Sequence, residues 1–235
     1  MMRAQIVILL VYPLFLFANS WPQWRGPDGN GHASGNNYPK TWTSEDNVMW
    51  KQKIPGRGHS SPVHEKGSIW ITTAVETPAS EKEKEDRLKE NEGLSTVTVL
   101  SKVSLRAIQV DPVSGQILQN IEVFEKEQPQ WVHHLNSYAS PTPFIEQGKL
   151  YMHFGAYGNA CLDTRSGKIL WKTDQVELWV MHENGPGSSP IIWEDFMIFH
   201  LDGSDKQSIV ALNKKDGQIA WQTKRSGKLN DNPQL

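Results

Sequence analysis

The chain of 235 residues contains a single cysteine, Cys161. No intrachain disulfide is possible, so packing alone must hold the fold, whatever the redox state of its compartment. Cys161 lies in the apolar-flanked run "NACLD", where a small buried hydrophobe is expected and a nucleophile is the minor alternative. Excess charge is lacking too. The formal net charge is -2, and no basic run interleaves with aromatic residues, so nothing in the electrostatics points to nucleic acid. The apolar stretch at residues 6–17 is too short to span a bilayer. With Arg3 before it and Ala18-Asn19-Ser20 after it, residues 1–20 read as a secretory signal peptide cleaved after Ser20, with an uncleaved anchor as the alternative. No cysteine follows the stretch, which argues against a lipid-modified mature N-terminus. The expected location is therefore periplasmic or secreted.

Tryptophan, by contrast, is plentiful at ten residues, in a chain that is 37% hydrophobic and 21% charged. That balance is ordinary for a soluble globular domain. The tryptophans recur at the ends of strand-like runs, which favours packing roles over ten separate binding roles.

The recurrence has a period. "DTRSGKILW" at residues 163–171 returns as "NKKDGQIAW" at 213–221, with Gly167 and Gly217 in register and Trp171 and Trp221 four positions after them. A looser copy, "DPVSGQILQ" at 111–119, carries Gly115 but has Gln119 in the tryptophan position. Short polar residues that bond their own backbone, followed by a glycine free to adopt positive φ, make a tight turn between two strands. Upstream of each hairpin lies a second pair of short runs opening at Ser61-Pro62, Ser140-Pro141 and Ser189-Pro190. Four-stranded units repeating about every fifty residues with a tryptophan mark are the sequence form of propeller blades.

The spacing from Ser-Pro to the turn glycine is 27 residues in the middle unit, 28 in the last and 54 in the first. The first unit therefore holds an insertion, at about residues 78–100. Within it, "SEKEKEDRLKENEG" offers Ser80 as a helix cap with Glu83 three positions on. Alternating Glu and Lys suit a solvated helix or a mobile loop.

"WPQWRGPDGNGHASG" at 21–35, "GRGHSSPV" at 56–63, "HHLNSYASPTPF" at 133–144 and "HENGPGSSP" at 182–190 resemble the secreted bacterial β-propellers known as pyrroloquinoline-quinone-like repeat proteins. The "D-x-x-[TS]-G-x-x-x-W" hairpin is that family's repeat mark, and the resemblance covers the mature chain. It implies an all-β fold: a partial β-propeller of about three four-stranded antiparallel blades plus an N-terminal strand, with a short helical insertion in the first blade. The expected organisation is a signal peptide at 1–20, an extended segment at 21–46 and the partial propeller at 47–235. Its blades fall at about 60–124, 140–173 and 188–224. "NVMWKQKIP" at 47–55 reads as a lone Trp strand. Relatives close rings of seven or eight blades, so the expectation is a truncated product, or else a short protein that pairs with another chain.

In a propeller the link from one blade's outer strand to the next blade's inner strand returns toward the axis. The links here carry His59, then His133, His134 and Asn136, then His182, Glu183 and Asn184. One reading gathers them at a ligand-binding or metal-binding rim. The other has them bonding the backbones of neighbouring blades. No spacing matches a metal signature, so the metal assignment is unknown, and no catalytic residue is assigned. The family's quinone dehydrogenases use an adjacent Cys-Cys disulfide over the cofactor, a calcium site and an Asp base. This chain has one cysteine and no alignable Asp base.

The expectation is thus a non-catalytic exported propeller with no cofactor, presenting a polar face to a protein or polysaccharide partner. One alternative is a dehydrogenase using pyrroloquinoline quinone with calcium. Another is a scaffold in outer-membrane protein assembly, a role that relatives fill as lipoproteins. Trp171 and Trp221 are expected in equivalent buried positions between blades, with Gln119 marking a weaker edge, and the end blades are expected to expose apolar flanks.

Overall fold

The computed structural model describes residues 20–35, 38–89, 96–181 and 184–226. It is all-β apart from one short helix, α1 (Glu81–Leu88), and single 3-10 turns. Three four-stranded antiparallel sheets follow one another along the chain. Blade 1 is β1 (Val63–Glu65), β2 (Ser68–Pro78), β4 (Leu100–Val110) and β5 (Ile117–Glu127). Blade 2 is β7 (Phe144–Glu146), β8 (Lys149–His153), β9 (Asn159–Asp163) and β10 (Ile169–Thr173). Blade 3 is β11 (Ile191–Trp193), β12 (Phe196–Asp202), β13 (Gln207–Asn213) and β14 (Ile219–Lys224). No described helix is long and apolar enough to cross a membrane.

The third turn of each blade forms as its residues dictate. Asp111 Oδ1 accepts the Ser114 N–H, Asp163 Oδ1 that of Ser166, and Asn213 Oδ1 that of Lys215. Gly115, Gly167 and Gly217 then take φ of 73°, 72° and 75°, a conformation that a side chain would strain. Each glycine N–H donates to the carbonyl four residues earlier, closing the hairpin.

Alternation along the strands gives each sheet two packing faces. One core lies between blades 1 and 2, built from Trp70, Leu105, Tyr138, Leu150, Met152 and Leu162 among others. The second lies between blades 2 and 3 and includes Tyr151, Cys161, Trp171, Phe199 and Val210. Blade 2 serves both cores: along β8, Leu150 and Met152 face one neighbour while Tyr151 faces the other. Cys161 is fully buried in β9, and burial pushes its thiol up to about 12, which makes it inert at neutral pH.

Near the inner strands the blades are laced by a repeated bond. The Ser61 N–H donates to Thr142 Oγ1 at 2.9 Å, and the Thr142 N–H donates to Ser189 Oγ at 3.0 Å. The equivalent opening dipeptides are therefore Ser61-Pro62, Thr142-Pro143 and Ser189-Pro190. In the middle blade this lies two residues beyond the Ser-Pro that sequence similarity picks out.

The insertion supplies α1, capped as expected by the Ser80 side chain, which accepts the Glu83 N–H. Residues 90–95 of it lie outside the described residues. The helix is not simply solvated. Arg87 reaches off it to the carbonyls of Leu100 (2.7 Å) and Pro129 (2.5 Å). Further along the insertion, β3 (Val97–Thr98) pairs with β6 (Val132–His133) in the link to blade 2.

The two ends differ from each other: blade 1 lacks the exposed apolar flank expected of it, and blade 3 has it. Residues 47–54 join no sheet; Trp50 instead lies against Gly115, its indole N–H donating to the Pro112 carbonyl at 2.9 Å. With Thr73 Oγ1 donating to the Pro55 carbonyl, this run covers the far face of blade 1, and Ile108 there is fully buried. The far face of blade 3 is open: Trp193 is 65% exposed and Trp221 38%, against 9% for Trp171. Trp171 and Trp221 are thus equivalent in the repeat but not in burial, because no described sheet lies over β14.

Candidate functional site

The links that return to the inner strands form one polar rim, and backbone carbonyls organise it. Arg57 sits in the run entering blade 1, where its backbone pairs with Ala74 in both directions. Gly56 before it has φ of 83°, and a side chain there would collide with the Ala74 carbonyl. From this position the Arg57 guanidinium donates to the carbonyls of His134 and Asn136 and lies 3.9 Å from Glu76 Oε2. One cation thereby ties the entry of blade 1 to the link between blades 1 and 2. Burial holds the Glu76 carboxyl above its ordinary range, with Arg57 opposing the shift.

Asn136 carries the chain of bonds onward. Its Nδ2 donates to the carbonyl of Asn184 at 2.5 Å, and its Oδ1 accepts the Ser137 N–H and the Ser140 hydroxyl. Asn136 and Asn184 are therefore brought together. His134 is held by the insertion, its N–H and Nδ1 both meeting the Thr96 carbonyl at 2.7 and 2.9 Å. Its ring lies 4.6 Å from that of His133, whose Nδ1 accepts the Leu135 N–H. His59 is exposed, anchored through its backbone N–H to the Ala139 carbonyl. His182 and Glu183 lie outside the described residues. Among the described residues, no group of three or more His, Cys, Asp or Glu is placed to hold a metal ion.

Gln130 and Tyr138 were not singled out from the sequence, whereas Tyr157 and Asp205 lie in turns expected on the same face as the links. Gln130 receives both tyrosine hydroxyls, Tyr138 at 2.6 Å and Tyr157 at 3.2 Å, on its carbonyl, and its amide donates to the Val180 carbonyl across to the next link. Burial raises the pKa of both phenols, so they remain neutral donors. Asp205 accepts the Met181 N–H and fixes the blade 3 turn against the same link. The one usable signal in the sequence was the pair of tyrosines in "NSYAS" and "GAYGN". Arg57, within the quoted "GRGH", had no distinguishing neighbour pattern.

The structural repeat residues meet across the seams between blades. Trp50 lies on Gly115, Gln119 on Gly167 and Trp171 on Gly217. The two tryptophans each donate their indole N–H to the carbonyl three residues before the glycine, Pro112 and Lys214, at 2.9 Å.

Serial four-stranded sheets joined by returning links and a Trp-on-Gly seam define a β-propeller repeat chain of the pyrroloquinoline-quinone-like type. The chain belongs to the repeat family whose model, described as outer membrane protein assembly factor BamB, matches residues 81–223. Proteins named outer membrane protein assembly factor BamB from Escherichia coli (strain K12) and Shigella dysenteriae serotype 1 (strain Sd197) are each 28% identical over 148 residues. The match covers 60% of this chain and 37% of each relative, so the chain spans well under half their length. Among solved structures, a europium-containing methanol dehydrogenase is similar at 12% identity and a TM-score of 0.44, over 77% of this chain and 27% of that one. BamB from Moraxella catarrhalis is similar at 18% identity and a TM-score of 0.32, over 55% and 33%.

Proposed function

We propose that the chain is a non-catalytic scaffold of the cell envelope that serves outer-membrane protein assembly by holding a protein partner on its blade links. The observation that carries this reading is the family match across residues 81–223, from α1 through β14. It favours the assembly role over a free-standing exported propeller or a polysaccharide binder. The rim is consistent with a surface that positions other chains. Arg57, Asn136 and Gln130 tie one link to the next through carbonyl bonds, and groups so engaged order a surface rather than act on a substrate. Export through the signal segment at 1–20, with cleavage after Ser20, is part of the proposal.

The quinone-dehydrogenase alternative fits this donor set poorly. Calcium requires several convergent oxygen ligands, whereas the Asn136 amide oxygen is turned to Ser137 and Ser140 and the Asn136 backbone carbonyl accepts the guanidinium of Arg57. The lone cysteine is buried within β9 and has no second cysteine with which to form a disulfide over a cofactor.

Deleting the gene in the bacterium that carries it should lower the amounts of outer-membrane β-barrel proteins, with recovery on re-expression. A photo-crosslinker at His59, exposed on the rim, should capture a protein of that assembly route. Unchanged outer-membrane composition in the deletion strain would refute the proposal.

A further inference from the structure

The seam between blades 2 and 3 is closed by a pair of devices that the seam between blades 1 and 2 lacks. Between blades 2 and 3, Trp171 lies on Gly217 and the ammonium of Lys214 meets Glu146 Oε2 at 2.8 Å. Between blades 1 and 2 the corresponding positions are Gln119 in place of Trp171, Thr164 in place of Lys214, and Glu65 in place of Glu146. Gln119 reaches Gly167 with an amide where the next seam has an indole. Its Oε1 lies against Gly167, and its Nε2 turns back to Gln109 Oε1 at 2.7 Å. Thr164 bonds the Gly148 carbonyl, and Glu65, with no ammonium to meet, accepts the N–H groups of Gln147 and Gly148. At this seam lies a cleft of about 480 Å³ bordered by Glu65, Lys66, Ser68, Gln109, Asp163 and Arg165. Its volume lies within the range of small-molecule sites.

The chemistry of the lining selects the ligand class. Gln109 and Ser68 form a neutral pair in the lining, Gln109 Nε2 donating to Ser68 Oγ at 2.7 Å, and Gln119 holds Gln109 from outside it. The walls carry two cations, Lys66 and Arg165, and two carboxylates, Glu65 and Asp163, so their formal charges cancel. An anion would gain from the cations and be repelled by the carboxylates, and a cation the reverse. A polyhydroxylated neutral molecule, each hydroxyl of which both donates and accepts, can use both kinds of wall group. We infer that the cleft between blades 1 and 2, bordered by Thr164 where the next seam has Lys214, is a binding site for a neutral saccharide of about two sugar rings. It is a site separate from the rim, and it does not rest on the assembly role.

The test titrates the whole chain with maltose and with N,N′-diacetylchitobiose by calorimetry and saturation-transfer NMR, beside a sulfated disaccharide as the anionic control. At least one neutral disaccharide should bind the wild type with a millimolar or tighter constant, and the sulfated one more weakly. Gln119→Trp should lower that affinity severalfold with the chain still folded, because it removes the amide that holds Gln109 in the lining. Arg165→Ala, on an exposed turn, should weaken binding severalfold without unfolding the chain, and it decides the matter if Gln119→Trp proves insoluble. No binding of either neutral disaccharide, preference for the sulfated one, or unchanged affinity in a folded Gln119→Trp or in Arg165→Ala would overturn the inference.

Discussion

Replacing Trp171 by alanine probes the seam that joins blades 2 and 3. The indole is 9% exposed, lies on Gly217, and gives its N–H to the Lys214 carbonyl. A buried tryptophan removes about 200 Å² from water, which at about 25 cal/mol/Å² corresponds to about 5 kcal/mol as an upper figure. Mutational series place Trp→Ala at about 3 to 5 kcal/mol, and the orphaned Lys214 carbonyl keeps the expected cost in the upper half of that range. Trp221→Ala is the matched control: it has the same residue type and repeat position, but the side chain is 38% exposed on the open face of blade 3. Its expected cost is about 1 kcal/mol, in line with substitutions outside a packed core. Urea unfolding followed by far-ultraviolet circular dichroism supplies the midpoints. Equal losses at the two positions would refute the claim that the stabilisation resides in the glycine turn of the following blade rather than in the hairpin carrying the tryptophan.

Three other outcomes are expected. Cys161, its thiol pushed up to about 12 by burial, should resist Ellman's reagent in the native chain and react in urea; rapid native labelling would contradict the packing of β9. Glu76, its pKa raised by burial, binds its proton more readily folded than unfolded. Its contribution to stability is therefore greatest below the unfolded pKa and is lost as pH rises through the folded one. The stability of Glu76→Gln relative to wild type should accordingly increase between pH 4 and pH 7, and a flat or falling difference would contradict the assignment. Calorimetric titration with pyrroloquinoline quinone and Ca²⁺ should show no tight uptake, and a one-to-one isotherm at micromolar affinity or better would revive the dehydrogenase reading.

The blades were legible because their signals are local. A polar turn closed by Gly115, Gly167 or Gly217 dictates a hairpin within nine residues, and the Ser80 cap dictates a helix start within four. What lies across a seam is not local. Nothing in "GQIAW" distinguishes Trp221 from the tryptophan of "GKILW", since burial depends on the sheet that follows. The same limit explains the middle blade. Ser140-Pro141 matches its counterparts in sequence, yet the lacing bond selects Thr142-Pro143, because a hydroxyl in the right place is what the neighbouring backbone detects. At the rim, the histidines drew notice for their chemistry, while Arg57, whose long donor fork bridges two links, carried no motif.

The first described residues of the chain also set a temporal order on its folding. Trp21 exchanges both backbone hydrogen bonds with His64, and the carbonyl of Pro22 next to it accepts the Ile145 N–H. This short run therefore lies along the inner edges of β1 and β7 and satisfies amides that an exposed edge would offer to other chains. A chain made from its N-terminus outward emits this run early, yet Ile145 arrives more than a hundred residues later. Closing so long a loop carries an entropic cost that grows with its length. Blades 1 and 2 must already be present for the staple to seat, so a segment made early is among the last to lock, and until then the edge of β7 depends on chaperones or speed for its protection.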